Sequence, residues 1–343
     1  MIIFAAMVFA CDEGRPQHAA ADHPVLKRAR PEVFKQVVVG NTQACALRED
    51  GSVKCWGATE EEIEIGTLDI YYHDGDSPAG SYERLHISGM SRSGHPTNSA
   101  SGRVCAIERG ALTICCWGRL DFSRRGDDEC APMLTTSASQ PFIEVVNGET
   151  KVCGLTSDGN LRCLDDHLME YSVPNIVNIS GTGYSVCALL QDATYDSAIL
   201  SYGACTESGM IGDATSALPK GLNNPSLVDG SPGCFWQSDP GIIRCSDSRG
   251  DWDPGPGMVG AAGTYFTTCA IYESGVVRCE TPYYDTTVSD LTSDWPDDPV
   301  GQFKQLALWP DSASVGCGVT IDGEISCWGS PTGQARRIVS DAP

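Results

Sequence analysis

The feature that most constrains this chain is a repeated pair of cysteines ten residues apart, with a glycine six residues after the first cysteine. The regular copies are Cys45–Cys55, Cys153–Cys163, Cys269–Cys279 and Cys317–Cys327. A three-residue turn ending in the glycine, such as Glu49-Asp50-Gly51, places Cys45 directly opposite Cys55 in an antiparallel hairpin. Because directly opposed residues are close enough for a disulfide, the spacing predicts a disulfide-linked hairpin in each copy.

Less regular copies of the same hairpin bring the number to seven. Their predicted pairs are Cys105–Cys116, Cys187–Cys205 and Cys234–Cys245. The second of these pairs carries an insertion between its cysteines. Cys115 and Cys130 remain and can pair with each other, although Cys115 and Cys116 could exchange roles.

The repeat recurs roughly every 45 residues, which is a blade-sized period. One hairpin with its preceding apolar strand cannot bury its own apolar face, so the units must stack, and radial stacking protects the strand edges. We therefore predict an all-β fold, a seven-bladed β-propeller over residues 31–343 with one disulfide hairpin per blade. Trp56, Trp117 and Trp328 each follow a second cysteine and are expected to pack between blades.

The pattern GxxxxCALxxDGxVxCWG, present at 40–57, resembles the regulator of chromosome condensation repeat family in an exported, cysteine-rich bacterial form. The resemblance covers about residues 31–343 and implies seven blades of about four strands. It also implies a protein-binding function, since that is what the family's members do. Several blades depart from the pattern at the tryptophan position, near or at Leu164, Tyr202, Ser246 and Glu280.

The first residues of the chain resemble an export signal. A short apolar run over residues 2–10 ends at Cys11, and it is too short to span a bilayer. We expect residues 1–11 to be a signal peptide with a lipobox-like Cys11 as the lipid attachment site, followed by a flexible tether over residues 12–30. This predicts a bacterial cell-envelope lipoprotein that meets the membrane only through its anchor; the alternative is a secreted protein. Seventeen cysteines agree with an oxidising compartment.

The net charge and the absence of catalytic motifs limit the classes of function that the sequence allows. The net charge of −22 opposes binding to nucleic acid and to anionic lipid headgroups. No motif of a metalloprotease, serine hydrolase or phosphate-binding loop occurs, so we predict that the protein is not an enzyme. The histidines lack the spacing of a catalytic base and are expected at the surface: His18, His23, His73, His86, His95 and His167.

Two groups of residues are candidate binding sites. Clustered carboxylates in acidic loops are candidate calcium ligands, and no other cofactor is expected. These aspartates are Asp74, Asp76, Asp127, Asp128, Asp251 and Asp253. The long connection over residues 58–84 is a candidate binding loop that presents Tyr71, Tyr72 and Tyr82.

The sequence thus predicts an exported, acidic, monomeric propeller that binds a protein or glycan at the cell envelope through loops on one face. The alternative is a propeller lyase or hydrolase with its site at the central channel. A ring must also close, and the segment over residues 335–340 is predicted to form a strand beside those of the first blade.

Overall fold

This computed structural model describes residues 32–40, 43–57, 75–76, 79–87, 103–117, 130–148, 151–165, 169–181, 186–191, 199–202, 225–228, 230, 234–245, 251–264, 267–280, 301–308, 315–329 and 342–343. They belong to one compact unit, Glu32–Pro343. The predicted signal peptide, tether and closing segment 335–340 lie outside the described residues. In the described part, no helix has the length and apolarity needed to cross a membrane.

The described strands form seven antiparallel sheets, numbered in chain order. Sheet 1 contains β1 (Phe34–Val39), β2 (Gln43–Arg48), β3 (Val53–Gly57) and β4 (Gly75–Asp76). Sheet 2 contains β5 (Tyr82–Ile87), β6 (Val104–Glu108), β7 (Thr113–Trp117) and β8 (Ala131–Thr135). Sheet 3 contains β9 (Phe142–Asn147), β10 (Lys151–Thr156), β11 (Leu161–Asp165) and β12 (Glu170–Val173).

In the remaining sheets the strands are again adjacent in chain order, with three or four described strands in each sheet. Sheet 4 contains β13 (Ile176–Gly181), β14 (Val186–Leu190) and β15 (Ile199–Tyr202). Sheet 5 contains β16 (Ser226–Leu227), β17 (Cys234–Gln237), β18 (Ile242–Cys245) and β19 (Asp251–Trp252). Sheet 6 contains β20 (Met258–Gly263), β21 (Thr268–Tyr272) and β22 (Val277–Glu280), and sheet 7 contains β23 (Phe303–Leu308), β24 (Val315–Thr320) and β25 (Ile325–Gly329).

The hairpin between the second and third strands has the predicted turn. In sheet 1 the N–H of Gly51 donates to the carbonyl of Arg48 (3.0 Å), and the N–H of Arg48 donates to the carbonyl of Ser52 (2.8 Å). Gly51 has φ +92°, the left-handed conformation that glycine adopts without steric strain. Counting back from this bonded pair, Cys45 and Cys55 fall at a non-hydrogen-bonded pair, where opposed side chains are closest.

Disulfides join opposed strands throughout the described sheets. Six of them link the second and third strands with Cα–Cα distances of 4.0–4.1 Å: Cys45–Cys55, Cys105–Cys116, Cys153–Cys163, Cys234–Cys245, Cys269–Cys279 and Cys317–Cys327. Cys115 bonds Cys130 at 5.2 Å, because Cys116 is the residue that faces Cys105. Cys187 is also disulfide-bonded, while Cys205 and Cys11 lie outside the described residues.

A recurring backbone hydrogen bond links one sheet to the next. The carbonyl of the turn residue in one sheet accepts the N–H of the residue that opens the first strand of the following sheet. These donor–acceptor pairs are Tyr82–Gly51, Phe142–Ala111, Ile176–Gly159, Phe303–Gly275 and Phe34–Gly323, with N···O distances of 2.7–2.8 Å. The last pair joins sheet 7 to sheet 1, so the two ends of the repeat array are in direct contact.

Side-chain amides on the first strands add a second link. The Gln36 amide accepts from the backbone N–H of Leu85 (2.9 Å) and donates to its carbonyl (2.8 Å), which couples sheet 1 to sheet 2. Gln305 binds Val37 in the same way (2.9 and 3.0 Å) and couples sheet 7 to sheet 1. Asn178 accepts from the N–H of Leu227 at 3.0 Å, between sheets 4 and 5.

Apolar packing between sheets forms the core. The three tryptophans of the repeat are buried, with exposed fractions of 1–8%. Trp56 shares a cluster with Val315 of sheet 7, Trp117 with Leu47 of sheet 1, and Trp328 with Ile271 of sheet 6. The predicted packing of these tryptophans between neighbouring sheets is confirmed.

Candidate functional site

A β-bulge near the start of the first strand sets which side chains reach solvent. In six sheets the second residue of this strand has no partner opposite it, because the register shifts at that point. A bulge turns the unpaired residue away from the ladder. The residues at this position are Lys35, Glu83, Ile143, Val177, Val259 and Lys304. Three of them are aliphatic and 48–50% exposed.

The bulges and the hairpin turns lie at the same end of the sheets, which we name the turn face. The register places them together, since Phe34 at the start of β1 pairs with Arg48 beside the turn. Eight large apolar side chains are exposed among the described residues. Seven lie on the turn face: Val33, Leu112, Ile143, Val177, Val259, Val276 and Ile321. The eighth, Met169, lies between β11 and β12 at the opposite end.

An open groove with a volume of about 630 Å³ crosses the turn face between sheets 1, 2 and 3. Its apolar lining includes Ile107, Phe142 and Ile143, and its cationic lining consists of Lys35, Arg84 and Arg109. We call it the turn-face groove. Because its lining comes from three separate sheets, the groove exists only where those sheets pack together.

The carboxylates around this groove are engaged by neighbouring groups. Glu83 accepts the backbone N–H of Gly110 at 3.2 Å. Glu144 lies 3.9 Å from Arg84, whose side chain is 53% exposed. Such an exposed ion pair contributes less than about 1 kcal/mol, so the Arg84 guanidinium can exchange this partner for another carboxylate.

Asp50 lies in the turn next to the groove. The side chain of Ser52 donates to the Asp50 carboxylate at 2.7 Å, and its backbone N–H donates at 2.9 Å. These bonds, followed by the charges of Arg48 and Arg109, hold the pKa of Asp50 below its ordinary value. The carboxylate therefore stays ionised and fixes the turn at neutral pH.

A second, narrower pocket lies where the first strands converge. Five sheets contribute to its lining, through Val38, His86, Gly181, Ala262 and Ala307, and Gly230, which follows β16 of sheet 5, also lines it. His86 was expected at the surface, and that expectation is wrong. It is half-buried because β5 is one of the strands that surround this pocket.

Asn147 and Arg103 hold His86 in place. The Nδ1 atom of His86 lies 2.5 Å from the side-chain oxygen of Asn147 and 3.1 Å from its backbone N. Asn147 in turn donates to the carbonyl of the buried Arg103 at 3.0 Å. Catalysis at the central channel would need several convergent ionisable groups, and among the described residues that line this pocket His86 is the one ionisable side chain.

The six aspartates that were predicted as candidate calcium ligands lie partly outside and partly within the described residues. Asp74, Asp127 and Asp128 lie outside the described residues, while the backbones of Asp76 and Asp251 form part of β4 and β19. Asp253 accepts a hydrogen bond from the Arg244 guanidinium at 2.6 Å, so this carboxylate already has a cationic partner. No group of three or more acidic, histidine or cysteine side chains in the described ranges is arranged to hold a metal.

The candidate binding loop needs a correction. Tyr71 and Tyr72 lie outside the described residues, but Tyr82 opens strand β5 and is only 1% exposed. Its ring centroid lies 5.5 Å from that of Trp117, and burial, followed by the charge of Glu108, raises its pKa. Tyr82 is a core residue because it occupies the position that Phe34 holds in sheet 1.

The sequence interpretation missed the bulge positions and the side-chain amides. A signal was present, since FKQV at 34–37 and FKQL at 303–306 repeat the same order of buried residue, bulge residue and amide. Aligning all the first strands on this order would have separated Tyr82 from the loop and identified Ile143, Val177 and Val259 as exposed.

Comparison with known proteins gives the fold. No protein-family model and no curated protein matches the chain. The CRINKLY WD40 ectodomain of the Arabidopsis thaliana receptor kinase ACR4 aligns with a TM-score of 0.53 at 16% identity, covering 89% of this chain and 99% of that one. The ectodomain of the Physcomitrella patens receptor kinase CR4 aligns with a TM-score of 0.50 at 18% identity, over 88% of this chain and 76% of that one.

Yeast RCC1 (Prp20), solved with bound Kap60, aligns with a TM-score of 0.51 at 12% identity, covering 95% of this chain and 86% of that one. At this level of identity the three structures bear on the fold alone. Together with the disulfide-linked repeat sheets, they show that this chain has an RCC1-like β-propeller fold.

Proposed function

We propose that this chain is an exported, seven-bladed β-propeller that binds a partner protein through its turn face. Seven described sheets and the direct hydrogen bonds from sheet 7 to sheet 1 support a closed ring of seven blades. A closed ring has no free blade face, and its rigidity suits a scaffold that presents a binding surface.

The observation that carries the proposal is the set of half-exposed aliphatic side chains at the bulges, Ile143, Val177 and Val259. Rigid strands hold these residues outward at equivalent positions of three sheets, so little side-chain entropy is lost when a partner covers them. Apolar side chains grouped on one face are typical of a protein-binding surface. Because the side chains are aliphatic, a protein partner is favoured over a glycan.

Export rests on the disulfides. Bonds of this number persist in oxidising compartments, and peptide mapping without reductant should recover Cys45–Cys55 and Cys317–Cys327 as linked peptides. Anchoring through Cys11 is part of the same proposal, and Cys11→Ser should then release the protein from membranes into the soluble fraction. A wild-type protein that is already soluble would support the secreted form instead.

The function is tested by photo-crosslinking on the intact envelope of the source organism. A photo-reactive residue placed at Ile143 or Val259 should give a discrete protein adduct, and one placed at Met169, on the opposite end, should not. The triple variant Ile143→Asp, Val177→Asp, Val259→Asp should lose the partner while keeping its melting temperature. Adducts at Met169 alone, or binding only on a glycan array, would refute a protein-binding turn face.

The second candidate is a propeller lyase or hydrolase with its site at the central channel. It is favoured by one observation, the half-buried His86 in the pocket where the first strands converge. Loss of a measured turnover in His86→Gln, with the turn-face variants still active, would favour the enzyme over the binding module.

A further inference from the structure

We propose that the turn-face groove binds an extended segment of the partner that carries carboxylates beside an apolar anchor residue. This inference rests on the proposed protein-binding function and adds the chemistry of the partner. Three properties of the groove support it: its charge, its apolar floor and its openness.

The charge of the groove is opposite to that of the rest of the protein. Over the whole chain, 45 acidic residues outnumber 23 basic ones. The residues that line the groove reverse this balance, with Lys35, Arg84 and Arg109 against Glu83. Glu83 is engaged by the N–H of Gly110, so its negative charge is partly offset by a backbone dipole. Two further carboxylates lie at the rim: Asp50 is engaged by Ser52, and Glu144 forms only an exposed pair with Arg84. The lining therefore attracts carboxylates, and the net negative charge of the chain disfavours their binding elsewhere.

The floor of the groove accounts for the apolar anchor. Ile107 and Phe142 are buried beneath it, whereas Ile143 is 48% exposed at its edge. An apolar side chain of a partner placed beside Ile143 would contact carbon atoms on the floor and leave the three cations for flanking carboxylates. Covering an apolar side chain contributes roughly 25 cal/mol per Å².

The openness of the groove favours a peptide segment over a small molecule. Its volume of about 630 Å³ lies within the range of roughly 300–1,000 Å³ that is typical of small-molecule pockets. Such pockets, however, enclose most of the ligand's surface, whereas this groove is open to solvent and crosses three sheets. An open groove covers only one side of a ligand, and it can hold several residues of an extended chain.

The test uses fluorescence anisotropy with the full-length protein and a labelled ten-residue peptide. In this peptide an acidic residue, Asp or Glu, alternates with an apolar or aromatic one, Leu or Tyr. Its control is the same peptide with Asn and Gln in place of the acids. We expect the dissociation constant of the acidic peptide to be at least about tenfold lower than that of the neutral one, because the acidic peptide gains one to two close charge pairs. Equal binding of the two peptides would overturn the inference.

Matched variants test the location. Lys35→Glu should weaken binding of the acidic peptide about tenfold, whereas Lys304→Glu, at the same bulge position of sheet 7 and outside the groove lining, should change it less than about twofold. Ile143→Asp should abolish binding, and Val259→Asp, which is equally exposed in sheet 6, should retain most of it. Equal losses in both members of a pair would show a general charge effect and refute the groove.

Failure of the groove and failure of the proposed function give different results. If the peptides do not bind but photo-crosslinking at Ile143 still captures a partner, the turn face binds protein and the acidic-segment chemistry is wrong. If neither peptide binding nor crosslinking occurs, both proposals are wrong.

Discussion

Gln305 makes one of the contacts that join the ends of the repeat array, and replacing it tests how much this contact contributes to closing the ring. Gln305→Ala removes both hydrogen bonds to the backbone of Val37, a residue that is fully buried. The N–H and carbonyl of Val37 would then lack partners. Leaving a buried polar group unpaired costs about 1–3 kcal/mol, so losing the partners of both groups should lower the free energy of unfolding by about 2–6 kcal/mol.

Gln36→Ala is the matched control, since Gln36 makes the same two bonds to Leu85 between sheets 1 and 2. Sheets 1 and 2 follow each other directly along the chain, whereas Val37 and Gln305 are 268 positions apart. Both variants should lose similar stability in denaturant unfolding with the disulfides intact. Only Gln305→Ala should speed amide hydrogen exchange in both β1 and β23, because only that variant loosens the junction between the two ends.

Gln305→Glu separates the two bonds, because the carboxylate keeps an acceptor for the Val37 N–H and loses the donor for its carbonyl. At neutral pH we expect Gln305→Glu to lose at least as much stability as Gln305→Ala, because the negative carboxylate would face the lone pairs of the Val37 carbonyl oxygen. If Gln305→Ala unfolds within about 0.5 kcal/mol of wild type, the range of an ordinary surface substitution, and exchange in β1 is unchanged, then Gln305 does not stabilise the junction.

Three further predictions concern single positions and the chain end. Gly51→Ala should destabilise the protein more than Gly110→Ala in thermal unfolding. Both residues have positive φ, which costs about 1–2 kcal/mol for alanine, but a Cβ at Gly51 would lie 2.2 Å from the Ser81 hydroxyl, whereas one at Gly110 would meet nothing within 4 Å. Equal losses of stability in the two variants would contradict the packing argument. Burial, followed by the charge of Asp253, raises the pKa of Glu280, so stability should fall as pH rises from the ordinary carboxyl pKa through the raised one. Glu280→Gln should flatten this slope in melting curves between pH 4 and 8, and a slope parallel to wild type would exclude Glu280 as its source. Deleting residues 334–343 should lower the melting temperature if that segment completes the ring, and an unchanged temperature would assign closure to the described contacts between sheets 7 and 1.

The hairpins of this fold were predictable from the sequence because their determinants are local. Ten residues separate Cys45 from Cys55, and a glycine at the left-handed position sets the register of the whole hairpin. The distance between the two cysteines follows from strand geometry and does not depend on distant parts of the chain. The same locality explains why the tryptophan of the repeat was correctly predicted to be a packing residue.

Tyr82 and His86 show what local pattern could not decide. Both lie on β5, next to a long connection. The residues adjacent to Tyr82 do not by themselves distinguish a loop tyrosine from a core tyrosine, and only an alignment of the first strands of all the sheets does so. Their burial comes from other sheets and from distant residues of the same sheet, through Trp117 for Tyr82 and through Asn147 and the converging first strands for His86. Burial is a property of the neighbours, and those neighbours are distant in the sequence.

The candidate site belongs entirely to the tertiary structure. By itself, the sequence determined a repeating disulfide hairpin, an all-β fold and an acidic chain. Only the packing of sheets 1, 2 and 3 places Lys35, Arg109 and Ile143 around one groove, although they are separated by up to 108 positions in the chain. Ile143 faces solvent while its neighbour Phe142 is buried, because successive side chains of a strand point to opposite faces, and the register shift leaves Ile143 without a partner on β10.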